Sequence, residues 1–129
     1  MVFAVRFCLA SAGLCGATGV ALAAASAHLG EALLGPASLM LLVHATALTA
    51  CTALLLQTQS HLIALAASLL GAGALVFGGS LALHALAGVR PVPLAAPIGG
   101  LLMIAGWLVL ACSAVWIAAS PRDSDAQIR

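Results

Sequence analysis

The chain has 129 residues, of which 64% are hydrophobic and 5% are charged, and its formal net charge at pH 7 is +1. A chain of this length allows one domain, and this composition lies far outside the range of soluble globular domains. Nucleic-acid binding is also excluded, because recognition of phosphates needs clustered cations and the chain has only four Lys and Arg residues. The composition predicts a small integral membrane protein whose main partner is the lipid bilayer.

Four apolar runs are each long enough to cross a bilayer, which takes about 20 residues of helix. They lie at residues 7–27, 38–57, 62–87 and 94–119, and residues 120–129 form a polar C-terminal tail. The segments between the runs are rich in Gly, Pro and polar residues, which stop helices. Short connections make consecutive helices antiparallel neighbours. We therefore predict an all-α fold, an integral membrane four-helix bundle forming a single domain over residues 1–119.

The first run can be interpreted in two ways. Residues 25–27 read "ASA", which is typical of a signal-peptidase site, and cleavage there would leave three spans. The apolar stretch at residues 7–25 is longer than the roughly 7–15 residues of a signal peptide. It is long enough to span the membrane, so we expect the first helix to be retained.

The positions of the arginines predict the orientation, because cationic residues are retained on the cytoplasmic side. With four spans, Arg6, Arg122 and Arg129 share one side of the membrane, and Arg90 lies on the opposite side. Both termini are therefore expected in the cytoplasm.

Small residues recur in the apolar runs, many of them at spacings of three and four. Helices in lipid pack through small residues, because these let two backbones approach closely. The predicted packing positions are Ala12, Gly16, Gly19, Ala23, Gly71, Gly78, Gly79, Gly99, Gly100 and Gly106. They predict a tight four-helix bundle or the seam of a homo-oligomer.

Several short motifs occur in order between Gly16 and Trp107. The most specific are the small-residue run that ends in Ala27-His28-Leu29, and Pro97-Ile98-Gly99-Gly100 followed by Gly106-Trp107. With these motifs the chain resembles the domain of unknown function 423 family, which includes YgdD/YwdK-like bacterial inner-membrane proteins and the animal transmembrane-protein-256 group. The resemblance implies a four-helix protein of the cell (inner) membrane and brings no established activity.

The histidines are the polar residues that best indicate chemistry. The expected topology places His28, His44 and His84 in the outer half of the membrane, on the same side as Glu31. Because imidazole is the commonest metal ligand, this set could hold a transition metal or haem, or relay protons. In the alternative interpretation, His28 and His84 lie at the membrane interface and a neutral His44 bonds a neighbouring helix. We prefer the second interpretation because no two of these histidines are three or four residues apart, and we predict no cofactor.

The sequence favours a non-enzymatic role, as a small scaffold or an accessory subunit of a larger membrane complex. One alternative is a small-molecule or ion transporter that works as an oligomer, although its only candidate carboxylate, Glu31, is expected at the membrane boundary. Another is a metal- or haem-binding redox protein that uses the histidines of the outer half.

Overall fold

The computed structural model describes residues 1–89 and 92–119, with side chains described as far as Val115. Four α-helices occupy almost all of these residues: α1 Val2–Leu29, α2 Leu34–Thr58, α3 His61–Ala87 and α4 Ala95–Ala119. Each of the four is long and apolar enough to cross a membrane. The predicted all-α fold with four spans is confirmed. Arg90, Arg122, Arg129 and the polar tail lie outside the described residues.

The first two helices begin earlier than the apolar runs that predict them. Helix α1 starts at Val2, so that Arg6 lies inside the helix, and α2 starts at Leu34, so that Gly35 and Pro36 lie in its first turn. Proline is tolerated there because the first N–H groups of a helix have no partner within the helix. The starts of α3 and α4 differ from the predicted runs by one residue.

The first three helices end in a residue with left-handed backbone conformation. Gly30 ends α1 with φ 68°, and Gly88 ends α3 with φ 66°. Helix α2 ends instead at Gln59, with φ 49°, and its N–H donates to the carbonyl oxygen of Leu55 at 3.0 Å. Glycine adopts this conformation freely, whereas a residue with a side chain adopts it at a cost.

The core of the protein lies between α1, α2 and α3. Its fully buried side chains include Leu48, Leu55, Ile63 and Leu70, together with three cysteines of α1 and α2. Helix α1 packs against both α2 and α3. Within the described residues, the Cα atoms of α4 come within 8 Å of α3 and of no other helix. The bundle is therefore a three-helix core with α4 attached along one side of α3.

The closest approach of α3 and α4 is made by a pair of glycines. A Cβ atom on Gly99 would lie 2.6 Å from the backbone nitrogen of Phe77 and 2.8 Å from the carbonyl oxygen of Gly73. A Cβ atom on Gly73 would lie 2.8 Å from the carbonyl oxygen of Gly99. Real Cβ atoms do not approach backbone atoms this closely, so this crossing requires glycine on both helices.

Candidate functional site

His44 is buried in the bundle and is only 3% exposed. It lies ten residues after Leu34, which at 1.5 Å per residue is about 15 Å along α2. This is deeper than the predicted run indicates, because α2 begins four residues before that run. His44 is thus an embedded polar side chain, and such residues need a partner within the protein.

Both ring nitrogens of His44 have a partner. Nδ1 lies 2.8 Å from the carbonyl oxygen of Met40, and Nε2 lies 3.3 Å from Nε1 of Trp107. Indole N–H can only donate, so Nε2 of His44 accepts this hydrogen bond. Nδ1 then carries the proton and donates a hydrogen bond to the carbonyl oxygen of Met40. The two contacts together favour a neutral imidazole with a defined tautomer.

Trp107 reaches His44 from α4. It lies twelve residues after Ala95, or about 18 Å along its helix, and its ring meets the imidazole edge-on with centroids 6.1 Å apart and planes at 63°. Since the backbone of α4 contacts only α3, this hydrogen bond links α4 to α2. The sequence did not predict Trp107 as the partner of His44. Helices α2 and α4 start at the same end of the bundle, and His44 and Trp107 lie at similar depths from those starts. This similarity in depth could have indicated the pairing.

Two further hydrogen bonds hold α1 against α2. Ser38 Oγ donates to the carbonyl oxygen of Gly19 at 2.8 Å, and Cys8 Sγ donates to that of Leu48 at 3.1 Å. A Cβ atom on Gly19 would lie 2.8 Å from the side chain of Leu42. Gly19 and the hydroxyl of Ser38 thus act at the same contact between α1 and α2.

The predicted set of His28, His44, His84 and Glu31 does not form one site. His28 and Glu31 are exposed near the end of α1, whereas His44 is buried and its two nitrogens are engaged. In residues 1–89 and 92–119, no group of three or more His, Cys, Asp or Glu side chains is placed to hold a metal ion. His44 is hydrogen-bonded to Trp107 of α4 instead.

His84 lines a cavity of about 310 Å³ between the end of α3 and the start of α4. Ser80 lies one turn before it on α3, and Pro93 and Pro97 form part of the opposite wall. The wall thus carries one imidazole and one hydroxyl among apolar groups.

Seven of the ten predicted packing positions lie against another helix of the same chain. At four of them an added Cβ atom would lie 2.6–2.8 Å from a neighbouring atom, so a residue with a side chain would force that neighbour to move. These are Gly19, Gly78, Gly99 and Gly106. The contacts at Gly71 and Gly16 are looser: an added Cβ atom would lie 3.3 Å from Cβ of Ser11 and 3.8 Å from Cβ of Ala45, respectively. The seventh position, Ala12, is buried.

The other three predicted positions have different surroundings. A Cβ atom on Gly79 or Gly100 would meet nothing within 4 Å, and Ala23 is exposed. These three do not lie at a close contact between helices of this chain. Gly73, which sequence reasoning did not select, does lie at such a contact. In the sequence, Gly73 is marked only by its position two residues after Gly71. That spacing places the two glycines on different faces of α3.

Helix α1 also carries small residues on the side facing away from the core. Five of them, at spacings of three and four, are exposed. They are Ala10, Gly13, Ala17, Ala21 and Ala24, called here the exposed stripe. Within the described residues, a Cβ atom on Gly13 would meet nothing within 4 Å. The described residues leave this surface uncovered.

The sequence model of a protein family described as "Protein of unknown function (DUF423)" matches residues 15–100. The chain belongs to this family. The resemblance seen in the sequence is thereby confirmed, and no curated protein or solved structure matches the chain. The matched region of this DUF423 protein includes His44 and the Gly73–Gly99 crossing and ends before Trp107.

Proposed function

We propose that this DUF423 protein is a non-enzymatic scaffold or accessory subunit, which docks against another membrane helix through the exposed stripe of α1. The exposed stripe is the observation that supports the proposal. Small residues are enriched where helices meet in membranes, because they let backbones approach. The exposed side of α4 differs, since it carries large apolar side chains at Leu101, Ile104 and Leu108. Large side chains of this kind suit contact with lipid.

A crevice beside the exposed stripe extends the proposed docking surface. It lies between α1 and α3, has a volume of about 230 Å³, and is lined by Thr18 and Ala21 of α1 and by Gly78, Gly79 and Ala82 of α3. Ala21 belongs to both the crevice and the exposed stripe. The two features therefore adjoin each other at Ala21, and the crevice is also lined by larger side chains, namely Leu14, Leu22, Leu41 and Leu75.

We further propose that the partner is a second copy of the chain or another subunit of a larger membrane complex. We expect α1 to be retained, with both termini in the cytoplasm and the protein in the cell (inner) membrane. Retention is supported by the packing of α1, whose Cys8 and Cys15 are fully buried in the core. Sequencing of the mature N-terminus tests this, and a chain that begins at His28 would overturn it.

Cross-linking through single cysteines tests the docking surface. Among the described cysteines Cys112 is exposed and the other three are buried, so the variants are made in a Cys112→Ser background. We expect Ala17→Cys, in the exposed stripe, to cross-link in native membranes to a second copy or to another protein. Leu101→Cys on α4 is the matched control and should not cross-link. No cross-link at either position in a monomeric protein, or equal cross-linking at both, would contradict the proposal.

The metal- or haem-binding alternative requires His44 to give up its hydrogen bond with Trp107. Its Nε2 atom accepts the hydrogen bond from Trp107, so a metal would have to displace the indole to bind there. Metal analysis and an absorption spectrum of the purified protein test this alternative. A stoichiometric metal or a Soret band would overturn the scaffold proposal in favour of a redox protein.

A further inference from the structure

A groove lies at the end of the bundle where α1 begins and α2 ends. Its volume is about 320 Å³. Four apolar side chains and two polar side chains form most of its wall, namely Val2, Val5, Leu55 and Leu56 with Arg6 and Gln59. We call it the Arg6 groove. It is separate from the His44–Trp107 pair and from the exposed stripe.

The apolar part of the Arg6 groove is open at its sides. Leu55 is fully buried and forms the floor, whereas Val2 and Leu56 are 67% and 66% exposed. Leu56 lies within a span, so its exposed surface faces the hydrocarbon region in a bilayer, whereas Val2 begins α1 and borders the membrane surface. An acyl chain can therefore lie along Leu56 without displacing any protein side chain.

The polar part of the groove carries a positive charge with no described neighbour of opposite sign. Arg6 and Glu31 are the only Asp, Glu, Lys or Arg residues in the described ranges, and Glu31 follows the far end of α1. Arg6 is exposed. A guanidinium binds phosphate through two parallel hydrogen bonds, which makes arginine well suited to this anion.

Gln59 supplies a second observation at the same place. It ends α2 in the left-handed conformation that glycine provides at the ends of α1 and α3. A glutamine here is less favourable for the backbone than glycine. What glutamine adds is an amide that can donate two hydrogen bonds, and this side chain lines the groove next to Arg6.

We propose that the Arg6 groove binds an anionic phospholipid. The lipid phosphate is held by the guanidinium of Arg6 and the amide of Gln59, and one acyl chain lies over Leu56. Basic residues at a membrane surface are attracted to anionic lipids. The apolar wall of the groove adds contact with the acyl chain to this attraction, so that the groove retains individual lipid molecules.

Native mass spectrometry of the full-length protein in detergent tests the proposal, with phosphatidylglycerol and phosphatidylcholine of identical acyl chains as probes. We expect the wild type to bind phosphatidylglycerol about fivefold more tightly, the effect of roughly one basic residue near the lipid. Arg6→Gln should bring the two lipids close to parity. Arg6→Lys should retain part of the preference, since an ammonium binds phosphate as a point charge.

Two further variants separate the groove from a general surface charge. Leu56→Trp fills the groove and keeps Arg6, so the preference should fall, whereas Leu101→Trp on α4 is the control and should leave it unchanged. Gln59→Gly keeps the helix end and removes the amide, which should weaken phosphatidylglycerol binding. Full preference in Leu56→Trp would show that Arg6 acts without the groove and would overturn the proposal, as would unchanged preference in both Arg6→Gln and Gln59→Gly.

Inorganic phosphate distinguishes a lipid from a free anion. We expect excess phosphate to leave phosphatidylglycerol bound, because the acyl chain contributes to its binding. Displacement by phosphate would show a simple anion site and would overturn the assignment to a lipid.

Discussion

Helix α3 packs against α4 and against α1 in opposite ways. Toward α4, the backbones meet at Gly73 and Gly99 so closely that neither helix has room for a Cβ atom. Toward α1, the helices touch where a Cβ on Gly71 would lie 3.3 Å from Cβ of Ser11, and then leave a crevice that Gly79 lines. The same residue type thus brings helices together on one face of α3 and borders empty space on another.

The difference comes from the residues on the facing helix. Helix α4 presents Gly99 and Gly106 to α3, and both permit close approach. Helix α1 presents Leu14, Thr18 and Leu22 to the crevice, and these larger side chains keep its backbone away from Gly79. Two backbones therefore meet where both helices carry glycine at the same depth, whereas a glycine opposite a larger side chain, such as Gly78 beside Leu41, contacts that side chain instead.

Leucine at Gly99 should have the largest effect on this contrast. Its Cβ would lie 2.6 Å from a backbone nitrogen of α3, so α4 must move outward, and overpacking of this kind costs about 1–3 kcal/mol or more. Gly100→Leu is the matched control, because its Cβ meets nothing within 4 Å. We expect a lower unfolding midpoint in detergent for Gly99→Leu and little change for the control. Equal loss in both variants would show that the α3–α4 crossing is not the cause.

Adjacent glycines on α3 provide a second contrast. A Cβ on Gly78 would lie 2.7 Å from the side chain of Leu41, whereas one on Gly79 would project into open space. We expect Gly78→Leu to lower the free energy of unfolding by about 1–2 kcal/mol, less than a clash with backbone, because a side chain can shift. Gly79→Leu should be neutral or slightly stabilising, since leucine favours helix over glycine by roughly 0.8 kcal/mol. Thermal unfolding of both variants measures this, and a more harmful change at Gly79 would contradict the packing described here.

The hydrogen bond between Trp107 and His44 should contribute about 1 kcal/mol, within the range measured for polar contacts between membrane helices. A double-mutant cycle with Trp107→Phe and His44→Leu isolates it. We expect the stability losses of the two single variants to add up to more than the loss of the double variant. Each single change leaves the other partner without its contact. Strictly additive losses would show that the contact carries no coupling. Leu108→Ala, at the next exposed position on α4, controls for the general effect of truncation.

Ser38→Ala should have the smallest effect, about 0.5–1 kcal/mol. It removes the hydroxyl that donates to Gly19 and leaves the close approach of α1 and α2 intact. Thr46→Ala is the control, because that hydroxyl bonds to a carbonyl of its own helix. Comparable losses in the two variants would mean that the bond between helices adds nothing beyond local bonding.

The fold and the site differ in how far the sequence could predict them. Run length and hydropathy are properties of single segments, so the four spans could be predicted. The pairing of His44 with Trp107 depends on the relative rotation and depth of α2 and α4, which no single segment encodes. Likewise, Gly79 and Gly73 are equivalent as residue types, and only the facing helix distinguishes them.

The backbone contact of α4 with α3, and with no other described helix, also bears on how the protein is made. Chains are synthesised from the N-terminus, and earlier segments generally fold first. Most of the buried cluster comes from α1, α2 and α3, and Met103 of α4 joins it, so these three helices can assemble in the membrane before α4 is inserted. Insertion of α4 then brings Gly99 against Gly73 and delivers Trp107 to His44. Truncation of nascent chains before Ala95 would show whether this three-helix intermediate resists proteolysis.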